Sequence, residues 1–131
     1  MTVERDLAWI DATETAELIR RKEISAVEAV DAAISRAERA QPTLNFLVTD
    51  TFETARAHAA NMALPANGDP PFAGVPFLVK DMYDVAGVPT RWGARFGPLL
   101  PPAAANCPQV DAFEAAGLVV IGKSALGEIG F

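Results

Sequence analysis

Val27, Val30, Ile34 and Ala37 recur at intervals of three and four residues, which places them on one stripe of a helix and leaves Glu28, Asp31, Ser35, Arg36, Glu38 and Arg39 for water. The start of that helix is also legible. Ser25-Ala26-Val27-Glu28 is a capping box, in which the serine and the glutamate each satisfy a backbone amide of the other's residue. Residues near Ala12 to Lys22 predict an earlier helix, and Pro42 is expected to follow the end of the later one. Beyond it, Phe46-Leu47-Val48-Thr49 is a short strand candidate. Phe52, Ala55, Ala59 and Met62 then form a second helical stripe, and both stripes read as core.

The pattern changes at Phe72. From there to Val79 no polar side chain occurs, and the run ends on Lys80-Asp81. A strand apolar on both faces is expected to be buried on both faces. Leu78 and Lys80 share one face, Val75, Phe77 and Val79 the other, so the lysine is expected to project from an apolar wall. Such a setting disfavours an ammonium, and an amine with a reference value near ~10.4 needs desolvation or a neighbouring cation before it serves as a base at neutral pH. Leu64 to Pro71, rich in Pro, Asn, Gly and Asp, predicts the loop that delivers the chain to this strand. Gly87 to Pro108 predicts a long Gly- and Pro-containing loop that is expected to lie against another part of the molecule. Pro108 to Ala116 predicts a helix closed by Gly117, and Leu118 to Ile121 a second buried strand. Helices and strands alternate without repeats, which indicates an α/β fold.

Three blocks carry a family resemblance: Gly74-Val75-Pro76 with Lys80-Asp81, then Gly87-Val88-Pro89-Thr90, then Ala116 to Ser124 with Glu128. Their order and spacing resemble the N-terminal part of amidase signature enzymes, and Ala12 to Ser25, with Glu17-Leu18 and Lys22-Glu23-Ile24-Ser25, is similar to the leading helices of that family. The resemblance implies the N-terminal portion of an amidase signature fold, a mixed central sheet covered by helices on both faces. It also implies a Ser-Ser-Lys hydrolase of carboxamides that works through an acyl-enzyme, with Lys80 as the catalytic lysine. In that chemistry a neutral lysine takes a proton from a serine held by a cis peptide bond, which in turn activates the nucleophilic serine.

The family's two serines lie in a Gly/Ser-rich stretch downstream, whereas Ser25, Ser35 and Ser124 sit outside such a context. Residues 1–131 are therefore expected to be the first part of a single larger domain, inactive alone, whose partner is the remainder of its own polypeptide. A small-molecule amide is the implied substrate, no metal or organic cofactor is implied, and a homo-oligomer is left open. Trp9-Ile10-Asp11-Ala12-Thr13 is similar to hydrolases of cyclic amide oligomers. Two alternatives stand beside this reading: a noncatalytic structural or interaction module, and the transamidating amidase-type subunit of a tRNA amidotransferase, which needs partner subunits.

Charge narrows the choice. The net charge is −6 and no basic run exceeds Arg20-Arg21-Lys22, which argues against nucleic acid and anionic membranes as partners. With 50% hydrophobic residues the chain can fill a core, and with one cysteine it has no internal disulfide to suggest an oxidising compartment. The first residues include Glu4, Arg5 and Asp6, and the longest apolar runs are broken by Gly or Pro, so neither a signal peptide nor a spanning segment is read and the cytoplasm is the default.

Gly117-(Leu-Val-Val-Ile)-Gly122-Lys123-Ser124 matches the phosphate-binding P-loop expression, but its interior is apolar and mostly β-branched and its approach is helical. A P-loop needs the strand before its first glycine, so nucleotide binding is rejected. Lys123 reads instead as a structural residue that anchors a nearby loop, and it is also the candidate for a cation beside Lys80. For Lys80 itself the plainer alternative is a strand-end lysine kept charged by Asp81. His58 reads as a helix-flank residue. Asp81 and Asp84 fall short of a zinc site, and Cys107 reads as a loop thiol. Arg91 to Phe96 either shapes a substrate pocket or pins a loop, the latter being the expectation for Trp92.

Overall fold

The computed structural model describes residues 7–64 and 70–131. The first helix among the described residues, α1 (Ala12–Arg20), begins where the Asp11 carboxylate accepts the Glu14 amide at 2.9 Å. The capping box forms at the start of α2 (Ala26–Leu44), with the Glu28 amide donating to Ser25 Oγ at 3.1 Å and the Ser25 amide donating to Glu28 Oε2 at 2.8 Å. Pro42 does not follow this helix but lies inside its last turn. Only the amide that proline lacks is lost there, and the chain stops at once, because Asn45 takes the left-handed conformation and donates to the Gln41 carbonyl. The Gln41 side chain then clasps Leu47 through two hydrogen bonds, of 2.8 and 2.9 Å, fixing the turn into β1 (Leu47–Asp50).

Helix α3 (Phe52–Asn61) follows, and the loop expected from Leu64 to Pro71 falls mostly outside the described residues, as do Glu4, Arg5 and Asp6. Strand β2 (Pro76–Lys80), a 3-10 turn at Gly97–Leu99, helix α4 (Pro108–Ala115), strand β3 (Val119–Ser124) and a 3-10 turn at Glu128–Gly130 complete the order. No helix among the described residues is long and apolar enough to cross a membrane.

The sheet order is β1-β3-β2, with β3 antiparallel to β1 and parallel to β2, so the sheet is mixed as expected. One bulge decides which side chains go where. Phe77 pairs with Val120 but Leu78 with Gly122, so Ile121 is an extra residue on β3. Alternation packs Val119 and Ile121 with Val30, Ile34, Ala55 and Ala59 of α2 and α3 and Val120 with Val79, Val85 and Val110 on the opposite face, and the extra residue then carries Lys123, the register partner of Val79, to the Val120 face. Phe113 of α4 supports that second layer, its ring 5.0 Å from that of Phe77. A third cluster, Leu7, Ile19, Ala29 and Ala32, seats α1 on α2.

Burial on both faces holds for β3 and not for β2. All of β3 from Val119 to Lys123 is buried, whereas in β2 only Val79 is, Phe77 and Leu78 are half-buried and Lys80 is exposed. The reason is topological: β2 is an edge strand among the described residues, and an open apolar groove of about 420 Å³ runs along it between Leu78, Phe77 and the Ala37–Leu44 side of α2.

Candidate active site

The C-terminal end of β2 presents Lys80 on the same face as Leu78, with Ser124 as its register partner across the parallel pair. The ladder continues one step beyond the strand, since the Asp81 amide donates to the Ser124 carbonyl at 2.9 Å. Two residues past Val79, Asp81 turns to the opposite face, where Lys123, the register partner of Val79, also points. Both side chains are fully buried and meet at 3.0 Å.

This ion pair is the centre of a closed network. Besides Asp81, the Lys123 ammonium donates to Thr90 Oγ1 at 2.6 Å and to the Pro89 carbonyl at 3.1 Å, so its three hydrogens have three acceptors. Thr90 passes its own hydrogen to Asp84 Oδ1 at 2.6 Å. The Arg91 amide shares the two Asp81 oxygens at 3.2 and 3.3 Å, and the Trp92 amide donates to the Asp81 carbonyl at 3.1 Å. The Trp92 carbonyl, on a residue held at a positive φ of 58°, in turn accepts the Ile129 amide. The loop from Asp84 to Trp92 is thus sewn to the ends of β2 and β3 by one buried charge pair.

Several sequence expectations are corrected by this geometry. Lys80 is exposed rather than enclosed in an apolar wall, because β2 is an edge strand among the described residues. Asp81 is not the counter-ion of Lys80, because strand alternation sends the two side chains to opposite faces and Lys123 occupies the carboxylate. Lys123 is likewise not the cation beside Lys80, since it lies on the Val79 face and its donors are spent. Its expected anchoring of a loop does hold. The P-loop reading fails as expected, because Val119 to Ser124 is a sheet strand paired on both sides.

The remaining candidates are scattered. His58 is exposed on α3. Cys107 precedes α4, donates its amide to the Asp84 carbonyl and packs against the Val110 cluster. Arg91 and Trp92 are half-buried in the pinned loop, with Arg91 Nε lacking a hydrogen-bond partner, while Phe96 is exposed. The Asp81–Lys123 pair is what sequence reasoning missed. A signal existed: a lysine in the run Val119 to Ser124 is too deep in an apolar strand to be left without an anion.

Comparison with known proteins gives this geometry a family. The Amidase family model matches residues 28–131. The chain is 32% identical over 138 residues to fatty-acid amide hydrolase 2-B of Danio rerio, a match that covers 97% of this chain and 26% of that protein. It is 34% identical over 128 residues to a glutamyl-tRNA(Gln) amidotransferase subunit of Solidesulfovibrio magneticus, covering 94% of this chain and 25% of that protein. The solved structure of 6-aminohexanoate cyclic dimer hydrolase complexed with substrate superposes with a TM-score of 0.83 at 32% identity, over 95% of this chain and 25% of the other. The chain spans about a quarter of the length of the curated relatives it matches.

Proposed function

The chain belongs to the Amidase family, and on that premise we propose that it serves the hydrolysis of a carboxamide C–N bond through an acyl-enzyme, with Lys80 as the base of a Ser-Ser-Lys triad. The observation that carries this reading is the position of Lys80. It ends a strand that lies parallel to its neighbour, it is exposed, and no ion pair or hydrogen bond engages its ammonium among the described residues, although the next residue is an aspartate.

In this reading neutral Lys80 accepts the proton of one serine, that serine accepts the proton of the nucleophile, and the nucleophile attacks the amide carbonyl. The proton returns through the same relay to the leaving amine, and water then cleaves the ester. The two serines and the donors for the oxyanion belong, in this proposal, to sequence outside these 131 residues, with the open β2 edge facing the part that carries them. The segment alone is then inactive, its substrate is a small amide, and its compartment is the cytoplasm. The similarity to a glutamyl-tRNA(Gln) amidotransferase component supports a second use of the same triad, in which the amide is glutamine and the ammonia passes to a partner protein.

The test is hydrolysis by the full-length protein of a panel comprising an aryl anilide, a primary fatty amide, a cyclic amide dimer and glutamine. Lys80→Ala is expected to abolish turnover of whichever amide is cleaved, and with the unsubstituted enzyme hydroxylamine is expected to intercept the acyl-enzyme and release its acyl group as a hydroxamate. Near-normal hydrolysis by Lys80→Ala would overturn the assignment.

A further inference from the structure

Resting on the reading of Lys80 as the base, we infer that Lys123 is a positioning residue that sequesters Asp81 from Lys80, so that the proton-accepting lysine is not held as an ammonium by its own sequence neighbour. The base needs a carboxylate-free surrounding, yet Asp81 follows it directly in the chain. The structure resolves this conflict with two devices. Alternation turns Asp81 to the Val79 face. There Lys123 neutralises it at 3.0 Å, with the Arg91 amide on the same oxygens. Asp81 thereby keeps a structural task, fastening the loop after β2, without acting on the residue before it.

Among the described residues the other charged and titratable groups near this end of the sheet have their own places. On the loop after β2, Asp84 is held by Thr90, Tyr83 packs against the Val79 cluster, and Arg91 is tied through its amide. Glu128 follows β3 and is exposed, and Arg36 of α2 lines the groove beside Leu78. Asp81 is the nearest carboxylate along the chain to Lys80, and it is fully buried, where an uncompensated charge acts over several ångströms with little screening.

The sign follows directly. An uncompensated Asp81 carboxylate one residue along the chain from Lys80, though on the opposite face, favours the ammonium, so the acidic limb of kcat/KM is expected to move to higher pH when Lys123 loses its charge. In the full-length enzyme, Lys123→Met is expected to displace that limb by about one pH unit, roughly a tenfold loss at fixed pH on the limb. Asp81→Asn/Lys123→Met, which removes both charges together, is expected to return the limb to its original place even where kcat falls. An unmoved limb in Lys123→Met would sink the inference.

If Lys123→Met does not fold, Lys123→Gln, which removes the charge but keeps amide donors for Thr90 and Asp81, takes its place: a limb displaced to higher pH supports sequestration, and an unmoved limb overturns it. Lys80→Ala separates the two proposals. Activity that survives in that variant removes the base assignment itself, whereas activity lost there with an unmoved Lys123→Met limb removes only the sequestration.

Discussion

Asp81 and Lys123 meet at 3.0 Å with both side chains withdrawn from water, while Lys80, the residue before Asp81, is exposed. A buried pair of this kind is costly to break and cheap to replace, because removing one partner strands the other charge without solvent. Lys123→Ala is expected to destabilise the protein by about 3–5 kcal/mol. Asp81→Asn/Lys123→Met should cost far less than the sum of the single changes, a coupling that a double-mutant cycle in urea reads directly. Additive single effects would mean that the pair contributes nothing beyond its separate contacts.

Gly117 closes α4 at a φ of +92°, and a Cβ added there would stand 2.6 Å from the backbone of Ala73. Neither problem has a cheap remedy, since the neighbour is main chain and the conformation is the left-handed one that side chains disfavour. The same turn presents the Gly117 carbonyl to the Gly74 amide and so sets the approach to β2. Gly117→Ala is expected to lower the thermal midpoint clearly, by more than the roughly 1 kcal/mol that the backbone conformation alone costs. A midpoint within experimental error of the parent would contradict this geometry.

How far the sequence can be read depends on the range of the interactions involved. The α2 stripe, its Ser25 capping box and the α3 stripe are legible because each rests on residues three or four apart. Strands β2 and β3 are legible as apolar runs, and Lys80 as the polar residue that ends the first of them. Facts of pairing are not. The edge position of β2 among the described residues, and with it the exposure of Lys80, depends on which strand lies next to which. The partner of Asp81 is 42 residues away on a strand whose register is shifted by a bulge, so nothing local points to Lys123 rather than Lys80. Pro42 departs from expectation for a smaller reason, since a proline in the last turn removes an amide that the helix can spare there.

Ile34 stands at the centre of the core between α2, α3 and the sheet and is completely buried. Spacing alone places its side chain on the buried stripe, and Val30, Ala55, Ala59 and Ile121 of the same cluster come from a neighbouring turn of α2, from α3 and from β3. Ile34→Ala is therefore expected to cost about 2–5 kcal/mol through lost burial and an unfilled cavity. Ile34→Val should cost about 0.5–1.5 kcal/mol. Chemical unfolding of the two variants tests the gradation, and equal losses would mean that the site relaxes around whatever side chain it is given.

Glu28 supplies the pH-dependent contribution with a definite sign. Its carboxyl is held below the ordinary glutamate range, first by the Ser25 amide and second by the Ser25 hydroxyl, with a small opposing effect of burial. A lowered value in the folded state means that the charged carboxylate favours folding. That contribution is complete above the unfolded-state value and is lost as pH falls through the folded one. Glu28→Gln should accordingly flatten the pH dependence of stability in this acidic window. Ser25→Ala should flatten it only in part, because the backbone donor, the larger cause, survives the substitution. A carboxyl-detected NMR titration of Glu28 gives the complementary measurement: the midpoint should rise in Ser25→Ala yet stay below that of a free glutamate. A midpoint that did not move would show that the hydroxyl takes no part in holding the charge.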